Sequence, residues 1–247
     1  MSKKTKIIIL IPCWRRPEVF KIVSEQLHHF VDANKKMYKL VVMFVFSEED
    51  PDIEQLAEIY NTASYKRAYT FCDNYQLGRK HNTGINAACE LGFDYLMNMG
   101  SDDLLHEDLL KLYKTEIDKK TPIIGINRLY FLDKASNRSL FFSYYNNPHV
   151  VGAGRMIHIS VINRLHERYG SVYESAAMCG LDGNSAERMH NCGFRQTAID
   201  PGTFPYLVDI KSDENINDFE KILQSANRNS IAEVNSEIVR KEFKVTI

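Results

Sequence analysis

An α/β fold built on a mostly parallel sheet follows from three features of the sequence. Continuous apolar runs at Ile7 to Ile11 and Leu40 to Phe46 lack the alternation of half-exposed strands, as strands buried on both faces do. Each run is followed by a stretch with helical spacing, so strand and helix alternate through the first hundred residues in the manner of a parallel sheet with crossovers. A third apolar run, Tyr95 to Met99, ends in Gly100-Ser101-Asp102-Asp103, which sets two carboxylates at a strand's C-terminal end, the edge where such sheets take ligands.

The elements follow in order. Pro12 closes the first strand, and Pro17 suits the first turn of a helix carrying Val19, Ile22, Val23, Leu27 and Phe30. The second strand leads through the acidic turn Ser47-Glu48-Glu49-Asp50-Pro51 into a helix bearing Ile53, Leu56, Ile59 and Tyr60. A weaker strand at Ala68 to Phe71 precedes a helix from about Arg79 to Leu91. After Met99 two readings stand. Either the paired acids face a ligand, or Ser101 or Asp102 caps a helix reaching Lys119, with Asp103, His106 and Glu107 at its start.

Beyond Lys120 the pattern changes. Ile123 to Leu132 and Leu140 to Tyr145 read as strands joined by the turn-rich segment Asp133 to Asn137, an antiparallel excursion. Val150 to Ile159 contains Gly152-Ala153-Gly154 and leads to a helix from about Ser160 to Tyr169. A further helix runs from Asp182 to Cys192, stopped by Gly193, before a short strand at Phe194 to Ile199. Past Asp209 the chain is charged, with one helix carrying Phe219, Ile222 and Leu223 that covers the sheet edge, forms a lid or mediates self-association. The expected organisation is a nucleotide-binding half at 1–120, a mixed, antiparallel half of the same domain at 121–210, and a helical extension at 211–247.

Bulk properties narrow the class. At 247 residues, 44% hydrophobic and 26% charged, the chain can bury a substantial core and lacks the bias of a disordered or fibrous protein. A formal net charge of −1 gives no global attraction for nucleic acid or anionic membrane. Cys13, Cys72, Cys89, Cys179 and Cys192 are odd in number and never spaced as C-x-x-C, which disfavours a disulfide framework and structural zinc and fits a reducing, cytoplasmic compartment. The run after Lys6 is too short for a signal peptide core, and no stretch approaches the roughly 20 apolar residues that span a bilayer, so the expected protein is soluble or at most peripheral at a membrane.

Several residues can carry chemistry. Adjacent Asp102 and Asp103 repel each other unless a cation offsets them, which points to a divalent metal with a phosphorylated ligand. Arg15 and Arg16 put two guanidinium groups beside the same edge, where planar donors suit diphosphate oxygens, or else line a solvated helix start. Glu48 and Asp50 either accept from a base or ribose or cap the next helix. Lys80 sits on the helix before the paired acids and can face that edge, while Asn82 and Asn86 are better explained by structural hydrogen bonds. Asp182 opens a helix, as a cap or as a general base. Phe141, Phe142, Tyr144 and Tyr145 stack a sugar or a base, or simply fill a hydrophobic strand. Among the eight histidines, His149, His158, His166 and His190 have no metal-ligand spacing, and G-x-S-x-G, Walker and G-x-G-x-x-G motifs are missing.

Taken in order, these motifs resemble the GT-A glycosyltransferases, especially their broad inverting family 2. The likeness rests on Ile11-Pro12 with Arg16-Pro17, the acidic turn after the second strand, Lys80 to Asn86, Tyr95 to Met99 with Ser101-Asp102-Asp103, Gly152 to Met156, and Leu181-Asp182 before a helix ending at Gly193-Phe194. It covers roughly residues 6 to 200. What it implies is a GT-A fold, with a Rossmann-like nucleotide-binding half followed by a mixed, antiparallel acceptor half. It further implies a nucleotide-diphosphate sugar over the first strands beside Pro12, with Asp103 as ligand to Mn2+ or Mg2+ and Asp102 near the metal or ribose. Glu48 would contact the base, and Lys80 or Arg15 the base or diphosphate. Asp182 would deprotonate an acceptor hydroxyl, on a glycan, a lipid-linked sugar, a protein or a modified nucleic acid. Gly100, Ser47 and Leu181 stand where the commonest family pattern has acids. Two other readings therefore remain beside the transferase: a noncatalytic nucleotide-sugar-binding or assembly protein, and a sugar-phosphate nucleotidyltransferase, which usually has a Gly-rich basic loop where Trp14, Arg15 and Arg16 stand.

Overall fold

The computed structural model describes residues 3–144, 149–213, 215, 219–225 and 230–243. The expected alternation is present as β1 (Lys6–Pro12), α1 (Pro17–Asn34), β2 (Lys39–Phe46), α2 (Ile53–Thr62), β3 (Arg67–Phe71), α3 (Leu77–Leu91) and β4 (Tyr95–Asn98). β2 and β4 flank β1 in parallel, and β3 joins beyond β2. The unbroken apolar run of β1 is explained by its two covered faces. Ile7, Ile9 and Ile11 share one core with Val23, Leu27 and Phe30 of α1, whereas Ile8 and Leu10 share another with Ile85 and Ala88 of α3.

The chain continues as β5 (Asp103–Leu105), α4 (Leu109–Asp118), β6 (Ile123–Ile126), β7 (Arg128–Asp133), β8 (Ser139–Ser143), β9 (Met156–His158), α5 (Ile159–Tyr169), α6 (Leu181–Asn191) and β10 (Thr197–Ile199). It closes with β11 (Leu207–Lys211), α7 (Phe219–Ser225), β12 (Ile231–Val234) and α8 (Ser236–Phe243). Among the described residues the strands form two sheets. One has the order β10-β6-β9-β4-β1-β2-β3 and is parallel except where β9 pairs with β4 and β6; the other has the order β12-β8-β7-β11-β5 and is mostly antiparallel. Among these residues no helix is long and apolar enough to cross a membrane.

The structure decides one open reading and corrects two expectations. The residues after Ser101 do not start a helix: Asp103–Leu105 pairs antiparallel with β11, because Leu104 and Leu105 are adjacent buried side chains that a strand end can cover, and helical spacing begins only at Leu109. The expected strand Ile123 to Leu132 is two strands in different sheets, divided at Asn127, whose carbonyl accepts from the Tyr144 N–H. The segment after Gly152-Ala153-Gly154 forms the strand Met156–His158 ahead of α5, and Gly154 turns the chain into it at φ +69°. The C-terminal region holds more than one helix: β12 extends the second sheet beside β8, and Val239 and Phe243 of α8 are buried in the main core. The strand placed at Leu140 to Tyr145 is β8, and Tyr145 lies outside the described residues.

Candidate active site

The C-terminal ends of β1, β2 and β4 bring together the turns at residues 13–16, 47–50 and 99–103. Arg15 and Arg16 both take left-handed backbone angles, φ 55° and 59°, a conformation that costs a non-glycine residue roughly 1–2 kcal/mol. Side chains from two other turns hold it. Asp50 accepts from the Arg15 N–H at 2.7 Å, and the Arg16 guanidinium reaches Asp102 at 2.7 Å and Ser101 Oγ at 3.0 Å. Asp50 thus braces this turn rather than standing free for a ligand. The guanidinium beside the paired acids is that of Arg16; Arg15 is exposed and lies over the Trp14 ring.

Asp102 and Asp103 have a third carboxylate beside them. β11 pairs with β5 in a register that sets Asp209 against Asp103, and one oxygen from each of Asp102, Asp103 and Asp209 lies within 4.8 Å of the other two. Arg16 and the Asn215 amide, at 2.6 Å, hold Asp102, while Lys211 Nζ holds Asp209 at 2.7 Å. Burial tends to raise the Asp102 pKa, but Arg16 and Lys211 outweigh it and keep the carboxyl low. Burial, then Asp209 and Asp102 in turn, push Asp103 well above the usual carboxylate range; burial and Asp102 raise Asp209 to about 7 despite Lys211. Three carboxylates face two fixed cations, and Asp209 Oδ1 is buried with no hydrogen-bond partner. This donor set suits a hard divalent cation: all ligands are oxygens, one is unused, and the 4.8 Å span is about twice a metal–oxygen bond.

Gly100 has a local reason here. A Cβ at that position would lie 2.5 Å from Asp102 Oδ1 and 2.9 Å from Asp103 Oδ2, and its own N–H donates to Asp103 Oδ2. Both carboxylates fold back over the glycine, which leaves no room for the acid of the commoner pattern.

Lys80 is buried on α3, and its ammonium donates to the Cys13 carbonyl, to Ser47 Oγ at 2.8 Å and to Asn74 Oδ1 at 3.0 Å. An ammonium has three donors, so this side chain ties three ligand-edge turns together. Pro12 ends β1 at the same edge, and Glu48 is exposed in the turn after β2. Asn82 makes the structural bonds expected of it, donating to the Tyr173 carbonyl and accepting from the Tyr173 N–H.

Asp182 lies in the first turn of α6, with its side chain 61% exposed and Oδ1 3.2 Å from Arg155. The N-cap is Gly180 in the left-handed conformation, so capping does not explain Asp182. Arg155 is fully buried and also donates to Ser185 Oγ at 3.0 Å. A Cβ on Gly152 would meet Asp182 Oδ2 at 2.1 Å, so Gly152 makes the space the carboxylate occupies. Arg155 accepts at its carbonyl from the N–H of Asn98, the last residue of β4, which places the Asp182 group beside the strand that leads to Gly100.

Sequence reasoning missed Asp209, Lys211, Asn215 and Arg155. For the first two a signal existed: Val208-Asp209-Ile210-Lys211 alternates apolar and charged residues, a strand with one charged face in need of partners. Arg155 and Asn215 carry no such mark.

Solved structures share this architecture. A mannosyltransferase from Pyrobaculum calidifontis in complex with GDP-Man and Mn2+ matches with a TM-score of 0.58 at 12% identity, over 87% of this chain and 60% of that one. S. aureus TarS 1–349 in complex with UDP matches with a TM-score of 0.55 at 12% identity, over 84% and 61%. A 4-diphosphocytidyl-2C-methyl-D-erythritol synthase from Anaerococcus prevotii matches with a TM-score of 0.55 at 11% identity, over 90% and 97%. This chain therefore spans about 60% of the length of the mannosyltransferase and TarS chains it matches. No family model and no curated protein sequence matches it. The fold is GT-A, as the order of motifs implied.

Proposed function

We propose that this chain is a metal-dependent inverting glycosyltransferase that moves a sugar from a nucleotide-diphosphate donor to a hydroxyl acceptor. The observation that carries this reading is the convergence of Asp102, Asp103 and Asp209 with Arg16 at the C-terminal sheet edge of a GT-A fold. Residues 1–120 are the donor half, 121–210 the acceptor half and 211–247 an extension whose neighbouring strand β11 supplies Asp209. Asp103, Asp102 and Asp209 would hold Mn2+ or Mg2+, which would supply positive charge beside the leaving diphosphate. Arg16 and exposed Arg15 donate to diphosphate oxygens beside Pro12, and Glu48 accepts from the base. Lys80 keeps the turns that carry these groups in place. Asp182, oriented by Arg155, takes the acceptor proton as the hydroxyl attacks the anomeric carbon opposite the diphosphate, which inverts the configuration. Five free cysteines accord with a reducing, cytoplasmic setting, with the protein soluble or peripheral at a membrane.

Thermal shift with UDP- and GDP-sugars, with and without Mn2+ or Mg2+, tests the reading. The expected result is a metal-dependent rise in Tm with at least one donor, and slow release of nucleoside diphosphate. No donor-dependent shift in either metal overturns it.

A second reading has its own support, because the match to the erythritol synthase covers 97% of that chain. A nucleotidyltransferase given a nucleoside triphosphate and a sugar phosphate releases pyrophosphate instead, so the product identifies the reaction. Absence of turnover with intact donor binding favours a noncatalytic binder.

A further inference from the structure

The opposite edge of the large sheet carries a cavity. It has a volume of about 880 Å³ and lies at the N-terminal ends of β1 and β2, between the last turn of α1 and the residues after α3. Its lining includes Val31, Tyr38, Leu40, Tyr65 and Phe93, all buried, together with Lys3, Lys4, Lys6, Lys35, Lys39 and Lys66. β1 separates this cavity from the paired aspartates by the length of a strand of seven residues, about 20 Å.

Some of the lysines have local work. Lys4 donates to the Lys35 carbonyl and Lys6 to the Leu91 carbonyl, where they satisfy the C-terminal ends of α1 and α3. The acids are also engaged: Asp32 pairs with Lys35 at 2.8 Å, and Asp94 accepts the Lys6 N–H at 2.7 Å. Among the described residues no carboxylate pairs with Lys3, Lys39 or Lys66, all exposed on the cavity rim. Burial, followed by the like charges of Lys39 and Lys66, lowers the Lys6 pKa, which places these ammonium groups within Coulomb reach of one another. Like charges gathered around a concave apolar floor repel each other until an anion enters.

We propose that this groove binds a phosphate-bearing anion, its phosphate held by Lys3, Lys39 and Lys66 and its remainder packed on Tyr38, Tyr65 and Phe93. The phosphate belongs to a free polyphosphorylated molecule or to a lipid headgroup. Lysine acetylation footprinting of the full chain, read by mass spectrometry, separates these sources and resolves the site from any anion bound at the opposite edge. Pyrophosphate protecting Lys39 and Lys66, but not exposed Lys21 on α1, assigns a free phosphate ligand. Protection only by vesicles containing phosphatidylglycerol, and not by phosphatidylcholine vesicles, assigns a headgroup. In either case Lys39→Glu with Lys66→Glu weakens binding of the effective probe by about 25-fold or more, since each charge at such a surface contributes about a factor of five. These residues cap no helix, and an unchanged Tm confirms that the variant folds. No protection of Lys39 and Lys66 by any probe, or unchanged affinity in the folded double variant, overturns the proposal.

Discussion

Asp209 stands directly opposite Asp103 in the antiparallel register of β11 and β5, so two carboxylates face each other across a strand pair while Lys211 donates its hydrogen bond to Asp209. Like charges opposed in this way destabilise the metal-free protein, and the two acids differ in what their loss would leave behind. Asp103→Asn relieves the repulsion and strands no cation. It is expected to raise Tm without metal by about 2–4 °C, the shift that about 1 kcal/mol gives in a chain of this size, and to abolish the rise that Mn2+ produces. Asp209→Asn should also lose the Mn2+ response but lower the metal-free Tm, because it leaves Lys211 buried beside an amide. Calorimetry of both variants with and without Mn2+ checks this. An intact metal response in Asp103→Asn would remove that carboxylate from the site.

Asp182 is exposed, yet Gly152 and Arg155 fix its carboxylate from behind. Asp182→Asn keeps the shape and loses the base, so donor affinity should be unchanged while transfer falls by about 10²–10⁴-fold. Gly152→Ala tests the same group by position. Its added methyl, 2.1 Å from Oδ2, must displace the carboxylate, and kcat should fall with little change in donor Kd. Full transfer activity in both variants would take Asp182 out of the reaction.

Lys80→Met removes the ammonium that joins the turns at Cys13, Ser47 and Asn74 and leaves buried acceptors without their donor. The expected destabilisation is about 2–4 kcal/mol by denaturant unfolding, accompanied by weaker nucleotide binding as the turns relax. Stability near wild type would show that the ammonium is dispensable as a brace.

The first hundred residues were legible because buried parallel strands write themselves as apolar runs and helices as periodic ones; Ile7 to Ile11 and Leu40 to Phe46 fall within β1 and β2. The paired aspartates were legible too, as an unusual charge at a strand end. What could not be read was pairing at long range. Whether Asp103 begins a helix or a strand depends on β11, about a hundred residues later, and Asp209 becomes a candidate ligand only through that pairing. Asn127 is likewise unmarked as the point where one apolar stretch divides between two sheets. Lys80 shows the complementary limit: its helix face was readable, but only the packed turns reveal that all three of its donors are already in use.

His81 makes the stability of the fold depend on pH. Its ring lies against Tyr173 with centroids 4.9 Å apart, and its Nδ1 is buried without a partner. Burial, then the charges of Arg155 and Lys80, lower its pKa to about 3, against an ordinary value near 6.5. Between those values the unfolded chain takes up a proton that the folded one refuses, so this residue's contribution to stability falls as pH drops below about 6.5. Asp209, raised to about 7, acts in the opposite sense: the folded state retains a proton that the unfolded state has released, and stability falls as pH rises from about 4 to 7. The whole-protein profile mixes these terms, and a variant isolates one of them. His81→Gln carries no titrating ring, so its unfolding free energy should fall less than that of wild type between pH 7.5 and 5.0, by at most about 2 kcal/mol. Parallel urea titrations at the two pH values measure the difference, and identical pH dependence in the two proteins would mean that His81 takes up its proton in the folded state as readily as in the unfolded one.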